Sequence, residues 1–444
     1  MISDPSIAAH DELANRASRI KDAIPEGGLF AEKEWRISPE PFPLSKKEVK
    51  TLEKLGPLLL RFQQTCDLIY RRSRKGTLPG WVADYLDRGK PEALLEMGLS
   101  APLLESTPRV IRPDLILTAD GFTATELDSV PGGIGLTAWL GEVYADANPD
   151  HDLVGGADGM LHGFSTISAK GKADILVSEE SSDYRPEMEW LCERLEGDWS
   201  VLDAESYQPE DRDVYRFFEL FDLPNVKGGM AAGKAAAEGR IDMTSPFKPW
   251  LEEKMWSALF WSHPLKEVWR RELRDGNWRR LQNLFPMSWI IDPAEMPHQA
   301  VIPELGIQRF SEMKDFSQTD RDLVMKLSGF NEKAWGSRSV TIGQDVSQSE
   351  WSGAVDTAIE SFDQAPYVLQ RFHSGKLVQH PWLNPDTGKI EMMEGRVRLC
   401  PYYFVGASDR EVRLGGVLAT ICPSDKKILH GMSDAIMVPC RVES

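Results

Sequence analysis

From Leu52 onward, apolar residues recur at the spacing of one helix face: Leu52, Leu55, Leu58, Leu59, Phe62, Cys66, Ile69 and Tyr70. Residues three and four apart share a side of a helix, so the stripe predicts a helix with a buried face. Ser45 with Glu48 three positions later supplies its capping box. The first 110 residues read as mostly helical, jointed at Pro39–Pro43 and at Gly76–Pro79.

The pattern then switches. Leu115–Thr118 and Phe122–Thr125 are short β-branched and apolar runs on either side of Ala119-Asp120-Gly121, whose Asp-Gly signals a hairpin turn. A three-residue loop with Gly121 in the left-handed region would oppose Asp114 to Glu126 and Arg112 to Asp128. Strand side chains alternate, so Glu126 and Asp128 share a face. A two-residue Asp-Gly loop would slip the register by one unless a bulge restored it.

Between residues 171 and 230 the pattern suggests a small α/β layer. Ala173–Ser178 is a strand, Arg185–Leu195 a helix with Pro186 in its first turn, Ser200–Asp203 a strand and Val214–Leu223 a helix. Gly228–Ala237 is a close-packed helix or a flexible link. Trp250, Trp256, Trp261, Trp269 and Trp278 fall at spacings that suit core helices better than a base-stacking platform.

Composition narrows the function classes. At 444 residues two or three domains are expected, and an apolar fraction of 41% is globular. The net charge of −18 is spread along the chain without a basic run, which argues against nucleic acid as the main partner. Five scattered cysteines without a CxxC pair fit reduced thiols in the cytoplasm. No basic leader precedes an apolar run, and about 18 consecutive apolar residues occur nowhere, so no membrane partner is expected. The dispersed histidines give no zinc motif, and no GxSxG elbow occurs. His430-Gly431 reads as structural.

Candidate chemistry centres on the hairpin face. Like charges opposite one another destabilise a sheet, so apposed Asp114 and Glu126 call for a cation. Mg²⁺ takes oxygen ligands and phosphates, and Arg112 beside it could hold a phosphate or an oxyanion. An ordinary hairpin with solvated charges remains the alternative. Ser129–Gly135 leads into a helix near Leu136; its backbone could meet an anion or simply turn tightly. Asp322–Leu327 is a strand with Lys326 embedded, followed by the polar, glycine-containing stretch Ser328–Ser339 and a second strand at Val340–Gly343. That combination could grip a phosphate or be a surface hairpin. The Tyr367–Phe372 strand could read an adenine edge. Gly395–Val405 and Val412–Ile421 look like paired strands, with Arg398 and Arg413 as phosphate or carboxylate contacts or sheet-face salt-bridge partners; for Arg413 the salt bridge is preferred.

Taken in order, Arg112-x-Asp114, Glu126-x-Asp128, Lys326 with its glycine loop and the Gln370 strand resemble the circularly permuted ATP-grasp enzymes of the glutathionylspermidine synthetase type. The likeness spans residues 108–440. As in the permuted group, the carboxylates precede the lysine. The resemblance implies an α+β, circularly permuted ATP-grasp fold with a small Rossmann-like α/β layer and a helical N-terminal region. The expected division is 1–170, carrying the hairpin at 108–130, then a pre-grasp-like layer at 171–230 and a nucleotide-binding half at 231–444.

It also implies an ADP-forming carboxylate–amine ligase that uses ATP and two Mg²⁺ ions to join a small carboxylate to an amino acid, peptide or polyamine. Asp114, Glu126 and Asp128 would hold metal, Arg112 would stabilise the reacting phosphoryl and tetrahedral species, and Lys326 would hold phosphates. Trp335, Gly336 and Ser337 would belong to the lid, Gln370, Arg371 and Phe372 to the adenine hinge, and Arg398 to the nucleotide contacts. Asp128 stands where the bifunctional enzymes have asparagine. Their N-terminal amidase length is missing, so hydrolysis of glutathionylspermidine is not expected. An ATP-dependent phosphotransferase and a catalytically silent ATP-binding module are the competing readings. Asp114→Ala or Glu126→Ala is expected to abolish turnover with the fold intact.

Overall fold

As a computed structural model, the protein is described over residues 5–25, 35–297, 300–334, 338–429 and 434–443. The predicted lid residues Trp335, Gly336 and Ser337, and His430 and Gly431, lie outside them. The helix with the apolar stripe runs Lys46–Arg74, and Ser45 and Glu48 form the capping box, with the Ser45 N–H donating to the Glu48 carboxylate at 2.7 Å. Its stripe is buried, with Phe62 stacked on Trp269 at 5.4 Å and Tyr70 on Trp250 at 4.0 Å. The tryptophan-rich stretch therefore serves the core, as its spacing suggests.

Three sheets are built on this core. Strands β1 (Phe42–Leu44), β2 (Val110–Thr118) and β3 (Gly121–Asp128) begin the largest. A second, all-parallel sheet holds β4 (Lys172–Val177), β5 (Asp198–Asp203), β6 (Asp213–Phe217) and β7 (Met243–Thr244), in the order β5-β4-β6-β7. A third holds β8 (Ser288–Ile290), β9 (Leu323–Leu327), β10 (Thr341–Ile342) and β11 (Tyr367–Arg371), in the order β10-β9-β11-β8. The chain then returns to the first sheet with β12 (Leu377–Leu383), β13 (Ile390–Val405), β14 (Val412–Pro423) and β15 (Ile436–Val442). That sheet runs β1-β15-β14-β13-β2-β3, so the β2–β3 hairpin adds to an edge made of C-terminal strands, with Ile116 opposite Arg398.

One element differs from the sequence expectation. Val214–Leu223 is not a helix: it is β6 followed by a 3₁₀ turn at Leu220–Asp222. All five residues of β6 are buried, between β4 and β7. A strand covered on both faces has no polar alternation to mark it, and Val214, Tyr215, Phe217 and Phe218 around the buried Arg216 can equally be read as a helix face. The glycine-rich stretch forms the helix Lys227–Ala237, where a β-carbon on Gly233 would lie 2.2 Å from the Phe247 ring. No helix among the described residues is long and apolar enough to cross a membrane.

A buried histidine ties the sheet to the N-terminal region. His380 on β12 is 2% exposed, and its Nε2 lies 3.0 Å from Ser38 Oγ and 3.2 Å from the Glu40 carbonyl. Burial pushes its pKa down to about 4 from the usual 6.5. The unfolded chain therefore binds this proton at a higher pH than the folded one. The stability that the neutral imidazole confers is complete above about pH 6.5 and is lost as pH falls through 4, a loss of about 3 kcal/mol. Urea unfolding at pH 7 and pH 4 should show that slope, and His380→Gln should flatten it.

Candidate functional site

The hairpin reaches its expected pairing by an unexpected route. Thr118 faces Gly121, so the loop is the two residues Ala119 and Asp120, and the register near the turn is offset by one from the predicted one. A bulge between the Asp114 and Leu115 levels takes up Thr125 and restores the register. Beyond it Asp114 faces Glu126 and Arg112 faces Asp128. Gly121 has φ of 131°, outside the left-handed helical well but still a value that favours glycine.

Each carboxylate on this face has a cationic partner. Arg112 Nε donates to Asp114 Oδ1 at 2.9 Å, Nη2 to Asp128 Oδ2 at 3.0 Å and Nη1 to the Gly132 carbonyl at 3.0 Å. Arg398 Nη1 reaches Asp114 Oδ2 at 3.2 Å, and Lys254 Nζ reaches Glu126 Oε1 at 2.9 Å. Burial disfavours the charge on Asp114, yet Arg112 and Arg398 outweigh it and hold the carboxyl below its usual range. For Asp128 burial prevails, reinforced by Glu126 and Asp114 against Arg112, and the pKa rises. The like-charge conflict is thus relieved by protein cations. Among the described residues, no group of three or more His, Cys, Asp or Glu is arranged to hold a metal ion.

The hairpin face and the predicted nucleotide residues line one cleft of about 540 Å³. Lys326 on β9 donates to the Thr125 carbonyl at 2.9 Å and to Gln370 Oε1 at 3.1 Å. Burial, outweighing the pull of Glu126, lowers its pKa to about 8. Gln370, Arg371, Phe372 and Arg398 line the same cleft, so it gathers every predicted site residue in the described regions. Arg371 Nη2 donates to the Glu304 carbonyl at 2.9 Å. Arg413 pairs with Asp409 at 2.5 Å and Glu411 at 2.7 Å and is not part of the cleft wall, in line with the salt-bridge reading.

Sequence reasoning missed several groups. Lys254 sits just before the helix Met255–Trp261, inside a stretch read only as core. Burial opposes its charge, but Glu126 more than compensates and raises its pKa. Its one signal was a lysine after Glu252-Glu253 amid apolar spacing. Glu180, Asp183, Tyr184 and Glu219 also line the cleft. The turn before the helix Ile134–Ala147 is occupied by a protein anion: Glu187 accepts from the Gly133 N–H at 2.7 Å and the Leu136 N–H at 3.0 Å. Helix N-termini offer such unpaired donors, and here a carboxylate of the chain itself takes them.

No family model matches the chain, and no curated protein does either. Among solved structures it is similar to a glutathione synthetase-like effector from Globodera pallida, in the apo form. The identity is 9%, the TM-score 0.51, and the match covers 99% of this chain and 98% of that one. A protein provisionally named a gamma-glutamylcysteine synthetase, from Methylobacillus flagellatus KT, aligns at 8% identity and TM-score 0.35 over 88% of this chain and 87% of that one. The first likeness, together with one mixed, one parallel and one antiparallel sheet set among the helices, shows that this chain has an α+β fold of the ATP-grasp-like kind.

Proposed function

We propose that the protein is an ADP-forming, ATP-dependent carboxylate–amine ligase, built as a circularly permuted ATP-grasp enzyme of the glutathionylspermidine synthetase type. The observation that carries this reading is one cleft that gathers the Arg112, Asp114, Glu126 and Asp128 face, Lys254 and Lys326 bonded to that hairpin, and the Gln370–Phe372 strand end. Its lining carries cationic groups that could meet phosphates and the acidic Glu180, Asp183 and Glu219, which could meet an amine. Among the described residues, the buried Glu219 Oε2 atom finds no hydrogen-bond partner. Burial, and next to it the charge of Glu252, pushes the Glu219 pKa well above the carboxylate range, and an incoming ammonium would offset both.

The donor set suits Mg²⁺ arriving with a nucleotide, since that ion takes one or two carboxylates plus phosphate oxygens. Both Asp114 oxygens are engaged by guanidinium groups, and Asp128 Oδ1 accepts from the Val130 N–H at 2.9 Å. Glu126, with its side chain 32% exposed, is therefore the main ligand in this proposal, with Asp128 and Asp114 beside it. When bound, the ions would neutralise phosphate charge.

The chain's own groups do the rest. Lys326 and Lys254 hold phosphate oxygens, and the Gln370–Phe372 backbone receives the adenine edge. A carboxylate oxygen of the acid attacks the γ-phosphorus, ADP leaves, and an acyl phosphate remains. The amine attacks the acyl carbon, phosphate departs with the bridging oxygen, and the nitrogen loses a proton. Arg112, fixed by Asp114 and Asp128, faces the oxyanion of that addition. None of the five cysteines forms a disulfide, which suits the proposed cytoplasmic location.

Incubation with ATP, Mg²⁺ and pooled amino acids, short peptides and polyamines tests the reading. ADP with a new mass equal to acid plus amine minus water supports it. AMP with pyrophosphate rejects the acyl-phosphate route, and a stable phosphorylated acid indicates a phosphotransferase. Lys326→Ala is expected to weaken ATP binding by about 10- to 100-fold, the worth of a charged hydrogen bond. Calorimetry with a non-hydrolysable ATP analogue measures this, and an unchanged Kd removes Lys326 from the site.

A further inference from the structure

The tripeptide Glu252-Glu253-Lys254 touches all three sheets. Glu252 pairs with Arg216 of β6, Lys254 with Glu126 of β3, and Glu253 with the turn that follows β9. In that turn the Ser328 hydroxyl and the Gly329 N–H, the latter at 2.8 Å, donate to Glu253 Oε2. The Phe330 N–H donates to Oε1 at 3.4 Å, and Lys90 pairs with the same oxygen. Ser328 Oγ in turn accepts from the Met255 N–H at 3.2 Å. One carboxylate thus ties the residue before Lys254 to the turn just after Lys326.

Two features mark this tie as more than packing. The Lys90 and Glu253 side chains are 1% and 2% exposed, and burying such a pair returns little stability over an apolar pair of the same size. A carboxylate nevertheless suits the place, because only a pure acceptor can satisfy an ammonium, a hydroxyl and two backbone N–H groups together. The turn is also shaped for close approach: a β-carbon on Gly329 would lie 2.8 Å from the Glu252 carbonyl and 3.1 Å from the Glu253 carboxyl.

We propose that Glu253, neutralised by Lys90, is a positioning residue that holds Lys254 and Lys326 in one fixed arrangement against the hairpin, so that two lysines on separate elements act as a single preformed anion site. It touches no reacting atom and acts through the two lysines. The proposal rests on the ligase reading only for the identity of the anion, the phosphates of ATP.

The decisive variant is Lys90→Met with Glu253→Leu, which replaces the buried pair by apolar groups and is expected to fold with a Tm near that of the parent. Acetylation by an N-hydroxysuccinimide ester, followed site by site by mass spectrometry, should be slow at Lys254 and Lys326 in the parent and faster at both in the variant. The Kd for a Mg²⁺-bound, non-hydrolysable ATP analogue should rise about tenfold, as for one lost charge-assisted contact. Glu253→Gln, read in the same way, serves if the double variant does not fold. Unchanged labelling of both lysines in a folded variant overturns the proposal whatever the affinity. Faster labelling in the variant of a parent that binds no nucleotide keeps the positioning role and overturns the ligase reading instead.

Discussion

Glu126→Gln is expected to lower ligation turnover by about 10²- to 10³-fold while leaving the fold in place. Glu126 is the most exposed carboxylate of the hairpin face, and among the described residues its salt-bridge partner is Lys254. Glutamine keeps its size and a hydrogen-bonding oxygen but removes the charge that a Mg²⁺–nucleotide complex needs. Lys254 retains the Ala334 carbonyl at 2.9 Å, so the cost to stability should stay near 1 kcal/mol. Initial rates at saturating ATP, with unfolding curves on the same protein, separate the two effects. Near-parental turnover would remove Glu126 from the metal site.

Asp114→Ala should behave differently. The sequence alone suggests an inactive but intact protein; the structure buries Asp114 between two partly buried guanidinium groups, Arg112 and Arg398. Removing one partner of a buried ion pair leaves uncompensated charge, at a cost of about 3–5 kcal/mol. Loss of activity in this variant therefore mixes chemistry with unfolding. Urea denaturation at constant pH gives the expected drop, and a change below about 1 kcal/mol would mean that the two arginines find other partners. Arg112 also loses one of the two carboxylates that aim it, so turnover should fall even under conditions where the variant is folded.

The contrast between these neighbours shows how far the sequence could be read. Alternation placed Asp114, Glu126 and Asp128 on one face, because side-chain direction in a strand depends on little but position. It could not show that the loop is Ala119-Asp120 with a compensating bulge at Thr125, since both routes give the same pairing beyond the bulge. Nor could it supply the counter-charges. Lys254 and Arg398 reach the hairpin from distant parts of the chain, and nothing local to either predicts that contact. The turn before Ile134 is similar: its free N–H groups were legible, and the Glu187 carboxylate that fills them was not.

Local pattern was enough where an element's environment is one-sided. The capped helix Lys46–Arg74 follows from its periodicity and cap, because its buried side imprints its period on the chain, and the hairpin follows from its turn signal. β6 defeated the same reasoning because it is buried on both faces and so carries no period. Through its ordered motifs the sequence by itself picked out the residues that one cleft gathers. Tertiary structure alone decided that the hairpin adds to an edge of C-terminal strands, that protein cations already balance its carboxylates, and that Glu253 ties two cleft lysines together. The physical reason is range: side-chain direction is set within a few residues, whereas charge balance depends on whatever the fold brings within a few ångströms.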